Sequence, residues 1–125
     1  MKSTTLLAFV LFAVVFACGC SDGEATVEAY YAAGDEQIRV RVGDSGMRTL
    51  SPGYSTTFDV NWDGGVFSPG EETVECYAEL VNNPSNNTSR QVELEDGDRY
   101  TWTIYVTGKK SADPEDQPLM SRVEK

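Results

Sequence analysis

The sequence predicts an all-β fold, an antiparallel β-sandwich of about seven strands. Three observations predict it. Past residue 24, apolar residues recur at every second position, the period of a half-buried strand. Clusters of Gly, Pro, Asn and Asp separate these runs at short intervals, as in sandwiches. An apolar leader precedes them and leaves about a hundred residues, enough for one domain with one modest core.

The elements follow in order. Lys2 gives a positive start, and Leu6 to Ala17 is an uncharged apolar run of twelve residues. A bilayer-spanning helix needs ~20 such residues, so this length fits the core of a secretory signal instead. Val27, Ala29 and Tyr31 then alternate with Thr26, Glu28 and Tyr30, and Gly34-Asp35 marks a turn. Ile38, Val40 and Val42 alternate with Gln37, Arg39 and Arg41. Gly43 to Gly46 breaks that run, and after Leu50-Ser51-Pro52-Gly53 the residues Phe58, Val60 and Trp62 share a face.

Asp63 to Gly70 reads as a loop. Val74, Cys76, Ala78 and Leu80 alternate with Glu75, Tyr77 and Glu79, but Val74, Tyr77, Ala78 and Val81 also keep helical spacing. Residues 71–81 therefore stay open between strand and helix. Asn82 to Ser89 reads as a polar loop, Val92 and Leu94 as a short strand, and Asp96-Gly97 as a hairpin turn. Tyr100, Trp102, Ile104 and Val106 share one face, with Thr101, Thr103 and Tyr105 on the other; β-formers on both faces predict a central strand. The domain is expected over 25–108 and a flexible acidic tail over 109–125. The expected core is Ile38, Val40, Val42, Phe58, Val60, Trp62, Val74, Ala78, Leu80, Trp102, Ile104 and Val106.

Val15-Phe16-Ala17-Cys18 resembles the lipobox that ends bacterial lipoprotein signals, and Ala17-Cys18-Gly19-Cys20 is a second match with a poorer first residue. The resemblance implies a signal peptide over 1–17, a diacylglyceryl-bearing, acylated cysteine at Cys18 (alternatively Cys20), and a lipidated tether over 18–24. Several acyl chains anchor stably where one binds marginally. The implied location is the cell envelope. In a Gram-negative host it is the outer membrane, because neither cleavage puts Asp second: Gly19 follows Cys18 and Ser21 follows Cys20.

Leu50-Ser51-Pro52-Gly53-Tyr54-Ser55-Thr56-Thr57-Phe58-Asp59-Val60-Asn61-Trp62 resembles the entry of bacterial immunoglobulin-like adhesion modules. Asp96-Gly97-Asp98-Arg99-Tyr100 is similar to a tyrosine corner, in which a hydroxyl ties the loop to the strand. Together they imply an immunoglobulin-like sandwich without the inter-sheet disulfide, since Trp102 stands where antibody domains place a cysteine. They bear on fold, not on function.

Charge and composition exclude several functions. The chain holds 20 acidic and 10 basic residues, and cleavage would remove Lys2, leaving a net charge of −11. That disfavours nucleic acid and anionic lipid as partners. There is no histidine, which removes the commonest general base and transition-metal ligand. Cys76 has no such base to activate it, and its phase points inward, as for a small core residue. No phosphate loop, nucleophile elbow or metal-spaced cysteine set is present. An enzyme of unfamiliar type is the minority expectation.

One segment could hold a cation. Asp59-Val60-Asn61-Trp62-Asp63-Gly64-Gly65-Val66 resembles the start of the calcium loops of EF-hands and dockerins, which implies oxygens from Asp59, Asn61 and Asp63. The match departs at Gly70, where the bidentate acid belongs; Glu71 comes one place late. The plainer reading is a strand with Asp59 and Asn61 outward, ending in an Asp-Gly turn. The sequence thus predicts a membrane-anchored, non-catalytic binding or structural module. Tyr30, Tyr54, Tyr77 and Tyr105 are candidates for a face that meets a protein or glycan, and calcium is the alternative ligand.

Overall fold

The computed structural model describes residues 22–64, 70–106 and 118–125. The signal peptide, Cys18 and Cys20 lie outside the described residues, as do 65–69 and 107–117. The described chain is all-β, with eight strands: β1 Gly23–Ala33, β2 Ile38–Val42, β3 Arg48–Leu50, β4 Ser55–Trp62, β5 Glu71–Leu80, β6 Asn87–Glu95, β7 Arg99–Val106 and β8 Leu119–Glu124. They form two four-stranded sheets, one in the order β4-β1-β7-β8 and the other β3-β2-β5-β6.

Alternation makes these strands and turns them toward each other. In β2 the burial pattern strictly alternates, with Ile38, Val40 and Val42 inside. β5 alternates likewise, so residues 71–80 are strand, not helix. The helical spacing of Val74, Tyr77, Ala78 and Val81 loses because β2 and β6 pair with β5 from both sides. Trp102, Tyr31, Phe58, Ile38 and Leu80 are the largest fully buried side chains and centre the core between the sheets.

β7 is central, between β1 and β8. Its partner β1 runs parallel to it, with Ala29 beside Trp102, so the sandwich is not wholly antiparallel. β1 and β7 come from distant parts of the chain, which leaves their relative direction free of hairpin geometry.

Three expectations are corrected. Residues 119–124, placed in the tail, form β8 and pair with β7 from Val106↔Leu119 to Thr101↔Glu124. Ser121, buried in that strand, bonds Thr88 through its hydroxyl and Arg90 through its carbonyl. Asn87 to Ser89 belong to β6 rather than to a loop.

Asp96-Gly97 does turn the chain, but between sheets rather than within a hairpin, because β6 and β7 lie in different sheets. Gly97 takes the left-handed φ of 82° that this corner needs. Its N–H donates to the Glu24 carbonyl, and the Asp96 carboxylate accepts from the Glu24 N–H, so the corner is tied to the start of β1. Of the expected core, Val60 and Val106 are only half-buried; the others are buried, joined by β1 residues, Leu50, Cys76, Val92, Leu94, Tyr100 and Leu119.

Candidate functional site

The outer faces of the two sheets differ in chemistry. On the β3-β2-β5-β6 face, Arg39 meets Glu79 at 3.6 Å and Arg41 meets Glu75 at 2.7 Å. The Arg41 guanidinium also lies over the Tyr77 ring, 5.0 Å from its centre. This face is charged and internally paired. It carries further acids, Glu71 opposite Glu95 and Glu93 opposite Thr73, of which Glu95 is paired with Lys125 at 3.1 Å.

The β4-β1-β7-β8 face is hydroxyl-rich at its centre and aromatic at one end. Glu28 aligns with Thr57 and Thr101, and Tyr30 with Ser55 and Thr103. One step further along, Tyr105 pairs with Met120 and with Ala33. Tyr54 sits at that level too, because its carbonyl accepts from the Tyr31 N–H. Tyr30, Tyr54 and Met120 are 37%, 67% and 38% exposed. Tyr105 is half-buried, with the Arg122 guanidinium 5.9 Å from its ring centre. At about 3.3 Å per residue this aromatic end lies roughly 23 Å along β1 from Gly23. Two of the four tyrosines expected on one face, Tyr30 and Tyr105, therefore share it; Tyr54 lies in the turn between β3 and β4, beside Arg48, Thr49 and Leu50, and Tyr77 lies on the opposite face. Which sheet a strand joins is not written in its own alternation.

The candidate cation ligands separate in the same way. Asp59 and Asn61 are exposed on the outer side of β4, and Asp63 follows the strand's end. Asp59 accepts from the Thr26 hydroxyl at 3.3 Å. Glu71 shares the outward phase of Thr73 and Glu75 on β5, so it faces out from the other sheet. It does not join Asp59 and Asn61. Among the described residues no three acidic or thiol side chains converge as a metal site.

Cys76 is fully buried and its thiol is free. Burial, aided by the neighbouring Glu75 carboxylate, pushes the thiol up to about 12, so it stays protonated and inert at neutral pH. Trp62 and Trp102 are core residues, closed to stacking on a sugar.

The sandwich is sealed unequally along its two sides. β6 and β8 are stitched by the Ser121 bonds and by Asn86, whose side chain accepts from the Leu119 N–H at 3.0 Å. On the other side Arg48 reaches across, donating to Thr56 and to the Thr57 carbonyl with its guanidinium 4.1 Å from the Phe58 ring centre. Past Arg48 a cleft of about 850 Å³ opens between β4 and the β2–β5 pair. The sequence marked Asp59 and Asn61 there but not the cleft, which needs both sheets to exist.

The described residues form a two-sheet β-sandwich with an aromatic-tipped face and, among those residues, a seam open beside β4. Compared with known proteins, the chain matches no family model, no curated protein and no solved structure.

Proposed function

We propose that this chain is a lipid-anchored protein of the bacterial envelope whose sandwich is a non-catalytic recognition module. The observation that carries the reading is the gathering of Tyr30, Tyr105 and Met120 at the end of one sheet face remote from Gly23, with Tyr54 exposed in the turn at the same end. Exposed aromatic and Met side chains beside hydroxyls are the composition of recognition surfaces. With Cys18 acylated, five residues ahead of β1, that end stands away from the membrane and meets a protein or glycan partner. The protonated Cys76 thiol and the absence of histidine support recognition without chemistry.

The immunoglobulin-like relationship belongs to this proposal. Its support is the Tyr100 hydroxyl, which accepts from the Glu95 N–H five residues upstream, the bond of a tyrosine corner.

Two measurements test the reading. Replacing Cys18 and Cys20 together by serine should move the protein from the membrane to the soluble fraction; unchanged fractionation sinks the anchor. Tyr30→Ser with Tyr105→Ser should abolish capture of envelope proteins or glycans by the wild-type chain while leaving its melting temperature within a few degrees. Undiminished capture would remove the face from the proposal.

A further inference from the structure

Among the described residues β4 is an edge strand, and the direction of its free main-chain groups can be assigned. Arg48 Nη1 reaches the Thr57 carbonyl at 2.6 Å from outside the sheet, so that carbonyl points away from β1. Peptide groups alternate in direction along a strand, so the N–H and C=O of Asp59 and Asn61 also point off the open edge. No main-chain partner meets them among the described residues. The other edges offer less: β6 and β8 are tied to each other, and β3 is three residues long. β4 carries neither proline nor lysine, two residues that commonly blunt an edge.

Beside this edge lies the open seam. Phe58, Val60, Val42 and Val74 line it on the inner side. Val60 has the inward phase yet is only half-buried, so the core is uncovered at that point. Asp44, Asp59 and Glu72 line it as well, and none has an ion-pair partner among the described residues. Among the described residues that line the seam the one cation, Arg41, is already bound to Glu75.

We propose that this edge binds an extended peptide by strand addition, and that the peptide alternates apolar and cationic side chains. The main chain at Asp59 and Asn61 supplies the ladder hydrogen bonds. One side-chain set of the incoming strand turns inward onto Val42 and Val60, with Glu72 of β5 on that same inner side; the other set meets Asp59 on the outer side of β4. A second copy of this chain would bring a second edge with the same Asp44, Asp59 and Glu72, and like charges across an interface are repelled, so the occupant is a different, basic chain.

The test is fluorescence anisotropy of a labelled, blocked hexapeptide alternating valine and lysine, titrated with the purified full chain. Asn61→Pro removes an edge N–H that takes no part in the sheet, and should weaken binding by about tenfold or more. Asp59→Asn with Glu72→Gln should weaken it about tenfold and flatten its salt dependence. In the wild-type chain the peptide should slow hydrogen exchange at the Asp59 and Asn61 amides, a readout that stands even if Asn61→Pro fails to fold. Equal binding of a valine–glutamate hexapeptide, or unchanged exchange at those two amides, would overturn the proposal. So would sedimentation showing a dimer that the peptide does not dissociate.

Discussion

The Tyr100 hydroxyl accepts a hydrogen bond from the Glu95 main-chain N–H at 3.1 Å, across the corner where the chain passes from one sheet to the other. Tyr100 is itself buried, so the bond joins the core to the turn. Tyr100→Phe keeps the ring and removes the bond. It should cost about 1 kcal/mol and lower the melting temperature by about 4–8 °C in a domain of this size. A melting temperature equal to the wild type's would deny the corner any role in stability.

Gly34 packs against the Tyr31 hydroxyl, and a Cβ at residue 34 would overlap it. Tyr31 is fully buried, so the ring cannot swing clear. Gly34→Ala should therefore destabilise by about 1–3 kcal/mol, the usual cost of overpacking. That hydroxyl has no hydrogen-bond partner among the described residues. Tyr31→Phe should then cost little and should relieve Gly34→Ala in the double variant. Strictly additive urea midpoints would contradict the contact.

Alkaline pH should destabilise the fold. Burial, then Glu75, pushes Cys76 from its ordinary 9.0 up to about 12. Burial, then Asp35 and Glu36, pushes Tyr31 from 10.0 up to about 12. In both cases the folded state keeps a proton that the unfolded chain releases. This contribution is fully present below about pH 9 and is lost as pH rises toward 12. Urea midpoints at pH 8 and 10.5 should show the fall, and Cys76→Ala should show a smaller one. A midpoint that does not move with pH would contradict these shifts.

β8 should be indispensable. It contributes Leu119 to the core and Ser121 to the bonds with Thr88 and Arg90. Without it, β7 becomes an edge and the side of Trp102 and Ile104 opens to water. A chain ending at residue 117 should lose its cooperative thermal transition in near-ultraviolet circular dichroism. A retained transition would return 118–125 to the status of a tail.

Millimolar calcium should leave the melting temperature where EDTA puts it, because Glu71 and the Asp59–Asn61 pair face outward from different sheets. A rise of several degrees would restore a cation to Asp59, Asn61 and Asp63.

Local pattern was enough for most strands. In 38–42 and 100–106 a strict two-residue period names both the strand and its buried face, because successive side chains point to opposite sides whatever the partner is. The outward phase of Asp59 and Asn61 was legible for the same reason, and so was the inward phase of Cys76. Phase says which side of a strand a residue is on, but not which sheet the strand joins. Tyr77 and Glu71 carry the right outward phase, and only the pairing order puts them across the molecule from Tyr30 and Asp59.

The sequence by itself determined the all-β class, the faces of its strong strands and the hydroxyl-tied corner at Tyr100. Tertiary structure alone decided the parallel β1–β7 pair, the open seam beside β4 and the existence of β8. In that last strand, Leu119-Met120-Ser121-Arg122-Val123 buries a serine and exposes a methionine, contrary to their hydropathy. The reason is satisfaction at long range: Ser121 can be buried because Thr88 and Arg90, more than thirty residues away, supply its hydrogen bonds.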